Sequence, residues 1–304
     1  MSIPRRTFIR TGSAAIAGVL ALPKSLKAFS FPHEILGLQL YSVRDDMGKD
    51  PEGTLKLVAA AGYKYVEHAN YIDRKFYGYS ATEFKKLIAG LGLDMISGHT
   101  VMSMKDWDDP KDDFTDEWKW TIEDAATVGQ RFVISPWLDE SLRKDIEGLK
   151  KFMDLFNKCG RLCKSHGLTF GYHNHDFEFS TMVDNMKLYD FILKNTDPSL
   201  VMQQLDVGNM FEAGAKALDV LHQYPGRFKL MHVKDETPSS KGEMGDKYES
   251  CVLGKGILPV KEIVDTGRKT GGTSYFIIEQ ESYQNQPPVE CCRLDFKVMK
   301  SWGY

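Results

Sequence analysis

Four short apolar runs in this chain each end on residues that can hold a cation or carry a proton. Tyr172-His173-Asn174-His175 closes one run and Leu205-Asp206-Val207-Gly208-Asn209 the next. Met231-His232-Val233-Lys234-Asp235 closes the third, and Ile278-Glu279-Gln280-Glu281 the last. Imidazoles and carboxylates together form a mixed nitrogen and oxygen donor set suited to one divalent ion: Mn²⁺, Co²⁺, Zn²⁺ or Mg²⁺. Strand side chains alternate, so His173 and His175 share an orientation while Asn174 turns outward. Asp206 ends an apolar strand, where a carboxylate is costly to bury without a cation. His232 follows the same logic, although Lys234 and Asp235 can simply pair with each other. Glu279 and Glu281 lie two residues apart, and either can be the ligand with the other supporting it. Glu67, His68 and His99 close two further runs and are expected to meet substrate rather than metal. His33, His166 and His222 fall in linker or helix positions and are given no role.

Eight short runs rich in aliphatic and aromatic residues alternate with helical patterns. The strands are expected at Ile35–Tyr41, Tyr63–Glu67, Asp94–Gly98, Arg131–Ser135, Thr169–His173, Val201–Asp206, Phe228–His232 and Tyr275–Glu279. They mostly lack the polar alternation of a solvent-facing sheet, as strands buried on both faces do. Helices are expected at Pro51–Ala61, Thr82–Ala89, Asp116–Val128, Ile146–Ser165, Asn185–Lys194, Ala213–Tyr224 and Pro259–Thr270. Most of them stop at a glycine, the usual left-handed terminator. Strand–helix alternation implies right-handed βαβ units, and eight of them close most economically into a (β/α)₈ TIM barrel. In such a barrel the carboxyl ends of all strands converge on one face. A doubly wound open sheet is the weaker alternative, because only a closed barrel gathers these strand ends around one centre. Gly254-Lys255-Gly256 lacks the remaining spacing of a dinucleotide or phosphate loop.

Residues 1–30 are expected to be a targeting segment. Arg5-Arg6 precedes Phe8-Ile9, no acid appears before Glu34, and Ser13 to Leu22 is apolar and alanine-rich. That stretch is too short to span a bilayer and has the length of a signal-peptide core. Paired arginines before it resemble the export signal of the Tat pathway, which implies a periplasmic protein. Leu26-Lys27-Ala28 is a poor cleavage site, so a retained anchor stays open; after signal removal no stable membrane insertion is expected. Residues 34–304 are read as a single barrel domain. A formal net charge of −3 gives no basic field for nucleic acid. The five cysteines have neither disulfide-framework nor zinc-knuckle spacing and read as buried thiols.

The chain resembles the xylose isomerase-like TIM barrel superfamily, in its sugar phosphate isomerase/epimerase, inosose dehydratase-like branch. The resemblance rests on Leu38-Gln39-Leu40-Tyr41-Ser42, Tyr172 to His175, Leu205 to Asn209, His232-Val233-Lys234-Asp235, Leu253-Gly254-Lys255-Gly256 and Glu279-Gln280. It covers essentially all of residues 34–304. It implies one divalent ion on His173, Asp206, His232 and Glu279, with Asn209 where ketose epimerases place a substrate-contacting histidine. Ketose 3-epimerases carry a glutamate on strand five, paired with the strand-eight glutamate as acid and base; here that position is His173.

The resemblance therefore implies a metal-dependent sugar isomerase or epimerase acting through a metal-stabilised enediolate. Glu279 is the expected base, with His175 and Lys234 as further catalytic residues. Glu67, His68, His99, Asn209 and Glu281 are the expected substrate contacts. Export favours a non-phosphorylated sugar. The alternative reaction is β-elimination or hydration of a 3-keto-glycoside or inosose-like substrate. From other classes, a non-catalytic carbohydrate-binding barrel stays open, whereas an apurinic endonuclease would need more ligands and a basic surface.

Overall fold

The computed structural model describes residues 34–240, 242 and 247–304. The expected Tat signal lies outside them. Eight parallel strands close into a barrel in sequential order. They are β1 Ile35–Gln39, β2 Tyr65–His68, β3 Asp94–His99, β4 Phe132–Ser135, β5 Thr169–His173, β6 Val201–Asp206, β7 Phe228–Val233 and β8 Tyr275–Ile278. β1 pairs with β2 on one side and with β8 on the other, which closes the sheet. Among the described residues no helix is long and apolar enough to cross a membrane.

The main outer helices are α1 Pro51–Ala60, α2 Ala81–Gly90, α3 Asp116–Val128, α4 Ile146–Ser165, α5 Leu188–Asn195, α6 Ala217–Gln223, α7 Val260–Thr266 and α8 Pro288–Ser301. Asp50, Ser80, Thr115 and Asp145 cap the first four through side-chain oxygens that accept backbone N–H bonds. Two expected helices split or shorten. Residues 182–187 form a small hairpin before α5, and the stretch after β6 begins with a short helix, Val207–Glu212, ahead of α6. All five cysteines are buried.

Inside the barrel, each strand changes character along its length. Inward positions near the amino ends are apolar: Ile96, Phe132, Ile134, Met202, Leu230 and Ile277 form one buried cluster with Ile35, Tyr65 and Tyr275. Toward the carboxyl ends the inward residues become Gln39, Glu67, Ser97, His173, Gln204, Asp206 and His232, all buried. The apolar plug thus supports a polar layer, and the fold positions chemistry only at one mouth.

Two glycines permit this packing. A Cβ on Gly98 would lie 1.8 Å from His68 Nε2, so β3 needs glycine where the His68 ring crosses it. A Cβ on Gly208 would lie 2.4 Å from Glu236 Oε1 and 2.8 Å from Lys234 Cδ. Glycine there lets the turn after β6 close onto the Lys234 side chain.

Candidate active site

The polar layer is organised around Glu67. Its Oε1 accepts from Gln39 Nε2 at 2.8 Å and from His232 Nε2 at 2.5 Å. Its Oε2 accepts from Ser97 Oγ at 2.5 Å and from Gln204 Nε2 at 2.8 Å. His99 Nε2 lies 3.2 Å from Oε1. Burial alone would raise this carboxyl, but the His99 and His232 rings outweigh it and hold Glu67 well below the usual carboxylate range.

Gln204 fixes two histidines at once. With its Nε2 committed to Glu67, its Oε1 accepts from His99 Nε2 at 2.7 Å and from His173 Nδ1 at 3.0 Å. Burial, with His232, His99 and His175 nearby, drives the His173 pKa well down, so its ring is neutral. The Nδ1 proton is used on Gln204, which leaves the Nε2 lone pair to accept from Asn209 Nδ2 at 3.4 Å, with Asp206 Oδ2 3.9 Å away. His232 is the opposite case. Burial opposes its charge, but Glu279, Glu67 and Asp206 raise its pKa well above the ordinary value. Its Nδ1 lies 3.1 Å from Glu279 Oε2 and 3.5 Å from Asp206 Oδ2.

Asp206 and Glu279 are both held ionised. In each case burial works upward, while Lys234 and His232 bring the pKa down to about 2. Asp206 Oδ1 accepts from Asn209 N at 2.7 Å, but among the described residues the buried Oδ2 has no hydrogen-bond partner. Asn174 staples the two strand ends: its Oδ1 accepts from Asp206 N at 3.0 Å and its Nδ2 donates to Asp206 O at 3.1 Å. Lys234 Nζ, itself buried, lies 3.1 Å from Glu279 Oε2, 3.7 Å from Asp206 Oδ2 and 3.2 Å from Asn209 Oδ1, and it pairs with Glu281.

Above these groups opens a cavity of about 490 Å³ with His99, His173, His175, Asn209, Glu279 and Glu281 in its polar lining. A second, wider cleft beside α7 is lined by Lys261, Glu262, Asp265 and Trp302 and contains none of the strand-end residues.

The four expected metal ligands meet in the barrel mouth. Asp206, His232 and Glu279 offer donor atoms within 4.8 Å of one another, and His99, His173 and His232 form a second such group. Glu281 belongs to neither group and is directed to Lys234 instead. Two expected substrate contacts are corrected. His68 turns out of the barrel and packs edge-on against Phe76, with ring centroids 4.9 Å apart. Glu67 is wholly buried beneath the mouth and reaches histidines rather than the cavity. A register shift between Val66 and Glu67 accompanies this placement, and bulges of that kind re-aim side chains near sites.

Sequence reasoning missed Gln39, Ser97 and Gln204. For Gln204 a signal existed: it lies two residues before Asp206 and so shares its inward face. Glu178 was missed as well. It accepts from Tyr172 Oη and from His175 N, the latter at 2.8 Å, fixing the turn that presents His175; burial pushes its pKa up to about 8.

The Glu67–His232 contact yields a prediction. A carboxylate on the far nitrogen of a histidine sets its tautomer and raises its basicity as a ligand. Glu67→Gln should weaken divalent-metal binding about 10–100-fold, measured by competition with a chromogenic chelator. Unchanged affinity would detach Glu67 from the metal site.

Comparison with known proteins agrees with this architecture. The family model of the xylose isomerase-like TIM barrel matches residues 55–302. An inosose dehydratase of Clostridium perfringens is 33% identical over 101 residues, 33% of this chain and 33% of that enzyme. The aligned chain thus spans about a third of the length of that relative. A sugar phosphate isomerase/epimerase structure from Parabacteroides distasonis superposes with a TM-score of 0.75 at 24% identity, covering 90% of this chain and 96% of that one. The IOLI protein, solved with a bound zinc atom, gives a TM-score of 0.68 at 14% identity over 88% and 97% of the two chains. These likenesses establish the shared fold, and the family match covers most of the barrel. The chain belongs to the xylose isomerase-like TIM barrel family.

Proposed function

We propose that the protein is a divalent-metal-dependent enzyme that removes a proton from the carbon beside a sugar carbonyl, in the manner of an isomerase or epimerase. One observation carries the metal assignment: Asp206 Oδ2, buried and without a hydrogen bond among the described residues, faces His232 Nδ1 and His173 Nε2. With Glu279 Oε2 these atoms form the mixed donor set that Mn²⁺, Co²⁺, Zn²⁺ and Mg²⁺ accept in differing order. Zinc in the IOLI structure supports the same reading. His173, Asp206, His232 and Glu279 would hold the ion, and bound there it would supply Lewis-acid polarisation of a substrate carbonyl.

The chain's own residues supply the proton transfers. Glu279 is ionised and lines the cavity, so it is the base that takes the α-proton. Lys234, tied to Glu281 and close to Glu279, donates to the oxygen that gains charge as the proton leaves. Burial lowers the His175 pKa to about 4, which leaves a neutral ring facing the cavity to orient a hydroxyl. His99, Asn209 and Glu281 complete the substrate contacts.

The lining has two carboxylates and, among the described residues, no arginine. A phosphate dianion would meet like charge there, which supports a non-phosphorylated sugar. Export by the Tat route is consistent with that substrate and is part of the proposal. Replacing Arg5 and Arg6 by lysine should leave the protein in the cytoplasm on fractionation; undiminished periplasmic recovery would sink the Tat assignment.

Elimination is the second reading. It is favoured by His173 standing where a second carboxylate would be needed for matched acid and base, and by the stretch shared with inosose dehydratase. Product analysis with free ketoses and 3-keto-glycosides separates the two. An isomeric sugar supports isomerisation or epimerisation, whereas released water or aglycone supports elimination. Binding without turnover of any of them would favour a carbohydrate-binding barrel.

The raised His232 pKa sets a pH dependence. In the metal-free protein Nδ1 carries a proton that an entering cation must displace. Apparent metal affinity should therefore climb about tenfold per pH unit until the pH passes the folded pKa of His232, then level off. Calorimetry in buffers of different ionisation enthalpy should count one proton released. A pH-independent affinity would contradict this assignment of the His232 proton.

A further inference from the structure

The cavity has two unlike halves. Its floor is polar, but its outer wall is built by Tyr41, Val101 and Trp137, which remain 41%, 49% and 41% exposed. A single exposed apolar residue calls for no explanation. Here three share one cavity, and both rings are braced without being covered.

Trp137 meets His175 edge-on at 5.2 Å and Phe177 at 5.3 Å. The Arg143 guanidinium stands 4.7 Å from the centroid of the Trp137 ring. Arg143 is itself fixed by its Nε bond to Leu138 O and by lying 3.4 Å from the Phe177 centroid. Tyr41 has Arg44 at 4.6 Å from its ring, and Arg44 is tied to Tyr41 O, Tyr283 Oη and Glu281 O. Both aromatic surfaces are therefore held in place ahead of any ligand, which lowers the ordering cost of binding.

Size points the same way. A hexose has twelve non-hydrogen atoms and occupies about 200 Å³, taking roughly half of liquid water's share of ≈ 30 Å³ for each. A cavity of about 490 Å³ leaves room beyond it for a second ring. A free monosaccharide on the polar floor would leave the aromatic wall in water.

We propose that the outer half is a subsite for the substituent of a glycoside, with Trp137 and Tyr41 as its walls. The ligand class is a sugar whose reacting ring sits on the floor and whose second glycosyl or aryl ring lies against these aromatics. Its ring C–H bonds or aryl edge meet the electron-rich faces of the two side chains. The proposal deepens the carbohydrate reading of the floor and rests on it.

The test is titration calorimetry on metal-analysed protein with a panel of common hexoses and both anomers of their phenyl glycosides, none of which needs to react. At least one phenyl glycoside should bind tenfold or more tightly than its parent sugar. Trp137→Ala and Tyr41→Ala should each cut that ratio to threefold or less while leaving metal content and parent-sugar affinity unchanged. Trp137→Phe should restore most of it. Wild type that holds metal but binds each sugar and its glycoside alike overturns the subsite and leaves the reading of the floor standing. An equal loss for sugar and glycoside in the alanine variants overturns it too. Wild type that holds no metal overturns the floor, and an aryl preference surviving in it keeps the subsite.

Discussion

Asp206→Asn should leave the protein folded and all but metal-free, with divalent-ion content below a tenth of the wild-type value by elemental analysis. The amide keeps an oxygen to accept from Asn209 N, so the cap on the turn after β6 survives. What it loses is the charge at the Oδ2 position, the atom that accepts no hydrogen bond among the described residues. Removing a direct donor should exceed the roughly 100-fold cost of an outer partner such as Glu67. The same variant leaves Lys234 its contacts with Glu279 and Glu281, so no cation is stranded in the interior. Full occupancy in Asp206→Asn would remove Asp206 from the ligand set and with it the core of the proposed site.

Glu279→Gln should lower kcat about 10³-fold even at saturating metal, within the range that loss of a positioned base costs. Saturation matters because the variant will also bind metal more weakly. Glu281→Gln is the control. It loses its pairing with Lys234 but keeps the proposed base, so its kcat should fall no more than about tenfold, with the larger change in KM. The reverse order of effects would exchange the roles of the two glutamates.

The barrel was legible because each strand is a compact apolar run ending on a polar residue, and both signals are local. His173, Asp206, His232 and Glu279 could be read from where apolar stretches stop. Their support could not. Gln39, Ser97 and Gln204 reach Glu67 across 28, 30 and 137 residues of sequence. A glutamine inside a strand has no local mark that separates a hydrogen-bond hub from a solvated side chain. His68 was misplaced although strand alternation separates it from Glu67: with Tyr65 and Glu67 inward, His68 faces out, and the extra residue at the register shift, Ile96, lies on β3 rather than β2. The glycine at position 98 was the available clue, since a bare backbone on the neighbouring strand leaves room for an outward ring. Helix α8 was overlooked because its buried side includes Cys291, Cys292 and Asp295 rather than a plain aliphatic stripe. Asp295 is accommodated there because its Oδ1 accepts from Leu253 N at 2.8 Å.

The central claim is that strand-end residues hold one divalent ion and that Glu279 removes a carbon-bound proton beside a carbonyl. Incubating wild-type protein in D₂O with keto sugars and 3-keto-glycosides, first metal-loaded and then chelator-stripped, tests it most directly. The account predicts deuterium at the carbon next to the carbonyl of substrate or product with one ion bound per chain, lost on stripping and restored by adding the ion back. Turnover or exchange of equal rate in the stripped protein, or a loaded protein that leaves every α-proton in place, would contradict it.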